Sequence, residues 1–177
     1  MTKPITEQRL YNITLFYLER FDASSLKIKQ MLERRIYKEK QKGAFIPNDT
    51  DKIIQSVIQR MQSLGYINDE RYTQNQVRNL AQAGKSKKQI LNKLKQSGIS
   101  DKLILETLTA FEEDNESSDL TRAEKWLKKH KKGQFRTKNT SEFYKKDLAA
   151  LARAGFSYET AVTALKIEPN FEQDWIE

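Results

Sequence analysis

Apolar residues return every three or four positions through most of the chain, and nowhere do they alternate in a convincing strand pattern. Leu10, Ile13, Tyr17, Leu18 and Phe21 lie on one helical face. Ile28, Met31, Leu32 and Ile36 form a second, and Ile54, Val57 or Ile58, Met61 and Leu64 a third. This spacing predicts amphipathic helices, because 3.6 residues per turn bring such positions onto one stripe. The breaks are equally regular. Asp22-Ala23-Ser24-Ser25 offers helix N-caps. Lys38 to Asn48 is polar, ends in turn formers and predicts a loop. Residues 48–50 offer a cap for the third helix, and Gly65 a stop.

The plan then recurs. Asp69 is expected to cap a helix carrying Thr73, Val77, Leu80 and Ala81, closed by Gly84. Ser86 and Gln89 have the spacing of a capping box, in which each side chain satisfies a backbone donor of the other residue. Ile90, Leu91 and Leu94 follow, Gly98 stops that helix, and Ser100 caps one with Ile104, Leu108 and Phe111. Leu10, Leu18, Ser24, Ile28 and Leu32 each match a residue 62 positions on: Tyr72, Leu80, Ser86, Ile90 and Leu94. Asp51-Lys52-Ile53-Ile54 matches Asp101-Lys102-Leu103-Ile104 at an offset of 50. Two constant offsets that differ by 12 residues imply one insertion, placed between the second and third helices of the first copy.

A third copy follows the acidic connector at 112–118. Its helices carry Leu120, Ala123, Trp126 and Leu127, then Phe143, Leu148 and Leu151, then Ala161, Val162 and Leu165. Gly155-Phe156-Ser157 echoes Gly98-Ile99-Ser100. The expected fold is all-α: tandem three-helix repeats, three units in an elongated, curved array of either hand. The units are residues 8–67 with the insertion at 37–49, residues 68–113 and residues 118–167. An acidic tail, residues 168–177, follows. Repeat arrays work through long surfaces, which points away from a pocket enzyme.

Composition sharpens this picture. Of 177 residues, 37% are apolar and 32% charged, a polar balance that suits an extended helical protein. The formal net charge of +8 favours anionic partners such as nucleic acid or nucleoprotein. There is no cysteine, so no disulfide framework and no thiol chemistry, as fits a reducing cytoplasm. No window approaches the ~18–20 apolar residues of a membrane span. Nor is there a secretory signal at the N-terminus.

The junction Gly65-Tyr66-Ile67-Asn68-Asp69-Glu70-Arg71-Tyr72 resembles the RecX family, regulators of the RecA recombinase. Tyr17-Leu18-Glu19-Arg20 with Ser24 or Ser25, and Ser86-Lys87-Lys88-Gln89-Ile90 with Gly98-Ile99, resemble the family's first and second repeats. Gly133-Gln134-Phe135-Arg136 and Ala152-Arg153-Ala154-Gly155-Phe156-Ser157 resemble its third, in the form found in alphaproteobacterial members. The ordered set covers roughly residues 8 to 167. Thr73 departs from the family's Ala, and the insertion and tail fall outside the pattern. The resemblance implies a cytoplasmic, monomeric, non-enzymatic protein without cofactor or metal. Its partner would be the RecA nucleoprotein filament, with single- or double-stranded DNA as a direct contact. It would restrain strand exchange, ATP hydrolysis and the co-protease activity behind the SOS response. Gly65, Tyr66, Asp69, Tyr72, Gly98, Gly155 and Phe156 are the motif residues, read as structural. Tyr66 and Tyr72 are expected to wedge between repeats.

Two basic sets are the candidate contacts. Seven Lys or Arg fall between Lys125 and Lys138, with His130 and Phe135 among them. From this run Lys128, Lys129, Lys131, Lys132, Arg136 and Lys138 are singled out. Cations neutralise phosphates and an aromatic face stacks on an unpaired base. The bland alternative is a solvated loop with Phe135 packed beneath it. The second set is Arg71, Arg78, Lys85, Lys87 and Lys88. Its last three members lie at a helix start, where the helix dipole disfavours cations. Simple solubility is the rival reading there. A more dilute set, Arg34, Arg35, Lys38, Lys40 and Lys42, is interrupted by Glu33 and Glu39. The single His130 has no Cys or His neighbours to build a zinc site, and no phosphate loop or nucleophile elbow is present. The alternative function is a sequence-tolerant DNA-binding helical protein or transcription regulator.

Overall fold

The computed structural model describes residues 4–115, 117–136 and 143–165. Among them are nine α-helices and no strand. They are α1 (Glu7–Leu18), α2 (Ser25–Gln41), α3 (Thr50–Ser63), α4 (Asp69–Gln82), α5 (Lys87–Lys95), α6 (Asp101–Asp114), α7 (Asp119–Lys129), α8 (Tyr144–Arg153) and α9 (Tyr158–Leu165). A short 3-10 turn, Gly133–Phe135, stands between α7 and α8. The three-helix plan is thus used three times, and α1 and α4, like α2 and α5, begin 62 residues apart.

The insertion is a loop only over residues 42–49; residues 37–41 continue α2. Helix α2 has 17 residues where α5 has nine, so most of the extra sequence adds two helical turns. Lys38-Glu39-Lys40-Gln41 are all good helix formers. Ile36 and Glu39 are buried beneath the extension. Glu39 accepts a hydrogen bond from Arg9 Nη2 of α1 at 2.9 Å and pairs with Arg35 at 3.3 Å. The polarity that suggested a break is an ion cluster seen from the side. The Arg9 hydrogen bond holds the Glu39 carboxyl below its usual range, against the opposing effect of burial.

The chain divides into two compact units, residues 1–74 with 95–103 and residues 75–94 with 104–177. The middle three helices contribute to both. In the first unit Leu10, Ile28, Leu32, Ile54, Val57 and Met61 form the core, flanked by Ile5 and Ile67. Ile13, Tyr17, Leu18 and Met31 are only partly buried. Phe21 and Leu64, predicted on core faces, are more than half exposed. Each lies past the last helical turn, where the 3.6-residue phase no longer holds. In the second unit Ala123, Leu127, Leu151, Phe156, Ala161 and Leu165 close the core of α7, α8 and α9.

One arrangement occurs in each unit. In the first, Ser24 caps α2 by accepting from the Lys27 N–H at 3.3 Å. Its hydroxyl donates to the Ser97 carbonyl, 2.6 Å away. The Ser25 N–H donates to Asp69 Oδ1 at 2.8 Å. In the second unit Ser86 accepts from the Gln89 N–H at 3.3 Å and donates to the Ala154 carbonyl at 2.8 Å. There the Lys87 N–H donates to Asp119 Oδ1 at 2.8 Å. Asp69 therefore does not cap α4, as predicted; Asn68 does, accepting from the Arg71 N–H at 2.8 Å. Local reasoning assigns an Asp to the helix it opens, whereas this one serves the start of α2. The Ser86–Gln89 box is also only half formed. Gln89 Oε1 is buried and accepts no hydrogen bond among the described residues. A full box is found instead at Ser118 and Thr121.

Gly98 and Gly155 complete the two arrangements. Both have positive φ, +80° and +84°. A Cβ on Gly98 would lie 2.6 Å from Leu26 Cβ, and one on Gly155 2.8 Å from Ser86 Oγ. Gly43 has a similar φ of +79° but open space around it. Gly43→Ala is expected to cost about 1 kcal/mol, the backbone strain alone. Gly98→Ala should cost about 2–4 kcal/mol, because overpacking adds to that strain. Urea unfolding of both variants checks this, and equal losses would show that the close approach at Gly98 is unimportant.

Candidate functional site

The basic run after α7 is organised by a residue that the charge pattern does not mark. Asp147 on α8 is fully buried. It accepts from Lys132 Nζ at 3.1 Å and from the Gly133 N–H at 2.8 Å. Arg136 grips it with two parallel bonds, Nε at 2.8 Å and Nη2 at 2.7 Å. A fork of this kind is among the strongest charge-assisted contacts in proteins. Burial by itself would raise the Asp147 carboxyl. The hydrogen bonds from Arg136, Gly133 and Lys132 outweigh it and hold the group down at about 2. The same contact raises Arg136 above its ordinary value.

Lys132 and Arg136 are therefore tied into the fold. Lys128, Lys129 and Lys131 are exposed. Lys128 and Lys129 fill the last turn of α7, where the helix dipole favours cations. Lys131 turns the chain with a φ of +50°. His130 stacks on Trp126 with ring centroids 4.1 Å apart. Phe135 keeps about a third of its surface in solvent, at 36%. Lys138 lies outside the described residues, as does the tail, residues 168–177.

The structure adds cations that the sequence reading passed over. A groove of about 480 Å³ is lined by Lys132, Arg136, Phe143, Lys145, Lys146, Ala149 and Arg153. Lys145, Ala149 and Arg153 recur every fourth residue along the outer face of α8, and all are exposed. Arg136 lies over the Phe143 ring at 4.3 Å and Lys146 at 4.9 Å. The signal was a basic stripe opposite Leu148 and Leu151. It is diluted in the linear sequence by the apolar residues between its members.

The second set is dispersed. Arg71 belongs to the first unit, where its Nη2 donates to the Gly65 and Tyr66 carbonyls at 3.3 Å each. This holds the turn that follows α3. Arg78, Lys85, Lys87 and Lys88 belong to the second unit and are exposed. Lys87 and Lys88 do open α5, but the Asp119 carboxylate at that helix start supplies the anion the dipole favours. Of the motif aromatics, Tyr72 is buried, with Lys27 Nζ 2.6 Å and Ser97 Oγ 3.3 Å from its hydroxyl. Tyr66 is 46% exposed and forms no wedge. Its backbone N–H donates to the Met61 carbonyl at 2.9 Å, closing the end of α3. Gly65 and Phe156 follow α3 and α8 in the chain, and Phe156 is buried.

Residues 68–108 match the family model described as RecX, second three-helix domain. That stretch is similar to the second of the RecX three-helix domains. The Regulatory protein RecX of Myxococcus xanthus (strain DK1622) is 28% identical over 169 residues, covering 94% of this chain and 89% of that protein. A crystal structure of RecX from Lactobacillus salivarius superposes with a TM-score of 0.67 at 20% identity, covering 90% of this chain and 94% of the other. A second crystal structure of regulatory protein RecX gives a TM-score of 0.65 at 21% identity, over 92% and 72% of the two chains. At these identities the structural likeness is one of fold. The matched stretch opens at Asn68, the cap of α4, and takes in Asp69, Ser86 and Gly98. It thus holds half of each serine-centred arrangement. Among the described residues no helix is long and apolar enough to cross a membrane, and no cluster of acids and histidines could hold a metal ion.

The Asp147 network makes the third repeat acid-sensitive. Its carboxyl sits near 2 in the fold against an ordinary 3.8, so the unfolded chain binds the proton more tightly. The stabilisation is complete above about pH 5 and is lost as pH falls through 3.8 toward 2. Asp147→Asn should lower stability by about 2–3 kcal/mol at pH 7, because Arg136 and Lys132 lose their counter-charge. Urea midpoints measured between about pH 7 and pH 2.5 should show the gap between variant and wild type closing in acid.

Proposed function

We propose that this protein binds RecA filaments formed on single-stranded DNA and restrains their activity. The observation that carries the reading is the likeness to the regulatory protein RecX over 94% of the chain, with a match to the second RecX three-helix domain at residues 68–108. The repeated helices and the net charge of +8 support it, since a nucleoprotein filament offers a long, anionic surface. The protein acts by binding and not by chemistry of its own, as a cytoplasmic monomer with no cofactor. Lys128, Lys129, Lys131, Arg78, Lys85, Lys87 and Lys88 are the exposed cations available for docking. Lys132 and Arg136 chiefly hold the loop that presents them.

A binder changes a filament only by preferring one of its states. Occupancy would favour the inactive or shortened filament, lowering strand exchange, ATP hydrolysis and co-protease activity together. Purified protein should co-sediment with RecA on single-stranded DNA and depress its ATPase. Lys128→Ala/Lys129→Ala/Lys131→Ala should weaken co-sedimentation several-fold at physiological salt while leaving thermal unfolding unchanged. Wild-type protein that stays in the supernatant and leaves the ATPase rate unaltered would sink this reading.

A further inference from the structure

We infer that the outward face of the α2 extension, formed by Arg34, Tyr37, Lys38 and Gln41, is a docking surface for an acidic segment of a partner protein. This surface goes beyond the filament reading, since it is defined by its own chemistry and not by RecA. Helix α5 ends at Lys95, whose counterpart at the offset of 62 is Glu33. All four residues therefore lie on the stretch that α2 adds relative to α5.

The extension sorts its charges by side. Ile36 and Glu39 are buried. Glu39 takes Arg9 at 2.9 Å and Arg35 at 3.3 Å. Positions 34, 37, 38 and 41 share the opposite face, because residues three, four and seven apart line up along a helix. All four are exposed, Tyr37 with 64% of its surface in solvent. The two acids that interrupt this basic run in the sequence are both engaged elsewhere. Glu39 is inside, and Glu33 lies 3.8 Å from Lys29. No described carboxylate pairs with Arg34 or Lys38. Arg34 Nε donates to the Gln30 carbonyl at 3.1 Å, which ties the guanidinium to its own helix and leaves its terminal nitrogens for a ligand. The ion cluster beneath holds the helix, so the face is in place before any partner arrives.

Charge complementarity selects an acidic occupant. From Arg34 to Gln41 the helix rises about 10 Å, the reach of a short peptide segment. The Arg34 guanidinium suits one carboxylate, held by parallel hydrogen bonds, and Lys38 suits a second one turn on. Tyr37, on the same face, offers an apolar ring to a partner's apolar side chain and keeps its hydroxyl at the wet rim. Tyr and Arg are also the residues that most often anchor protein interfaces. A nucleic acid is served less well. Strong electrostatic binding to a duplex draws on roughly 6–10 phosphate contacts, and this face offers about two.

The test is fluorescence anisotropy of a labelled dodecapeptide of glutamates bearing two phenylalanines, at physiological salt and without RecA. Wild type should bind saturably below about 1 mM, the range of a transient contact. Tyr37→Ala and Arg34→Ala/Lys38→Ala should each weaken binding about tenfold. The same peptide with glutamine for every glutamate should lose at least as much. The charge-matched control Lys128→Ala/Lys129→Ala should stay within about twofold of wild type. Thermal melts confirm that the variants fold, and all five side chains are exposed. Equal losses in the two double variants would overturn the assignment, since only bulk charge would then matter. So would a wild type that takes no peptide, or displacement by an unlabelled DNA duplex as effective as that by unlabelled peptide. RecA co-sedimentation distinguishes the two ideas. A wild type that pellets with filaments but takes no peptide leaves the filament reading intact and removes this one.

Discussion

The first backbone donors of a helix and the last carbonyls of another have no partners within their own helices. In this protein the two deficits meet. The free N–H of Ser25 at the start of α2 is taken by Asp69, and the Ser97 carbonyl beyond α5 is taken by Ser24. Lys87 with Asp119, and Ser86 with Ala154, repeat the exchange in the second unit. A three-helix repeat cannot satisfy the start of its second helix alone; it borrows from the one after it. This is why the compact units cut through the middle repeat. It is also why glycine is required at Gly98 and Gly155, where the borrowed carbonyls must approach closely.

Once that exchange is fixed, neighbouring positions are free to vary in chemistry. Leu10, Tyr72 and Arg122 occupy the same place in successive repeats, and all are buried. Leu10 is simple core. Tyr72 reaches Lys27 and Ser97 within the first unit. Arg122 pairs with Glu112 at 2.6 Å and with Asp119 at 3.1 Å. Its Nε and Nη1 have no partner among the described residues. A buried guanidinium is costly, and two carboxylates are needed to hold it. Asp119 consequently serves twice, for Arg122 and for the start of α5.

What was legible in the sequence followed from local periodicity. Helix starts 62 residues apart, Ser24 and Ser86 as caps, and Gly98 as a stop all rest on patterns within a few turns of chain. What was illegible depended on distant partners. Asp69 looks like the cap of its own helix because nothing nearby reveals that Ser25 competes for it. Residues 38–41 look like a loop because Glu39 is polar, and only the fold brings Arg9 beside it. The α8 groove was missed for a related reason. A linear scan rewards adjacent lysines, whereas Lys145 and Arg153, two turns apart, share a face only on a helix. Asp147 gave no signal, since a buried acid and a solvated one look alike in sequence.

The third repeat divides its cations between structure and surplus. A carboxylate that holds Lys132 and Arg136 fixes the turn after α7, and it also removes most of their charge from solution. The most conspicuous basic run is therefore less basic than its composition suggests. The charge that remains exposed lies on other side chains, Lys128, Lys129 and Lys131 in the run and Lys146 and Arg153 on α8 among them. Clustered charge in a sequence marks where cations are made; burial of the opposing acid decides where they remain available.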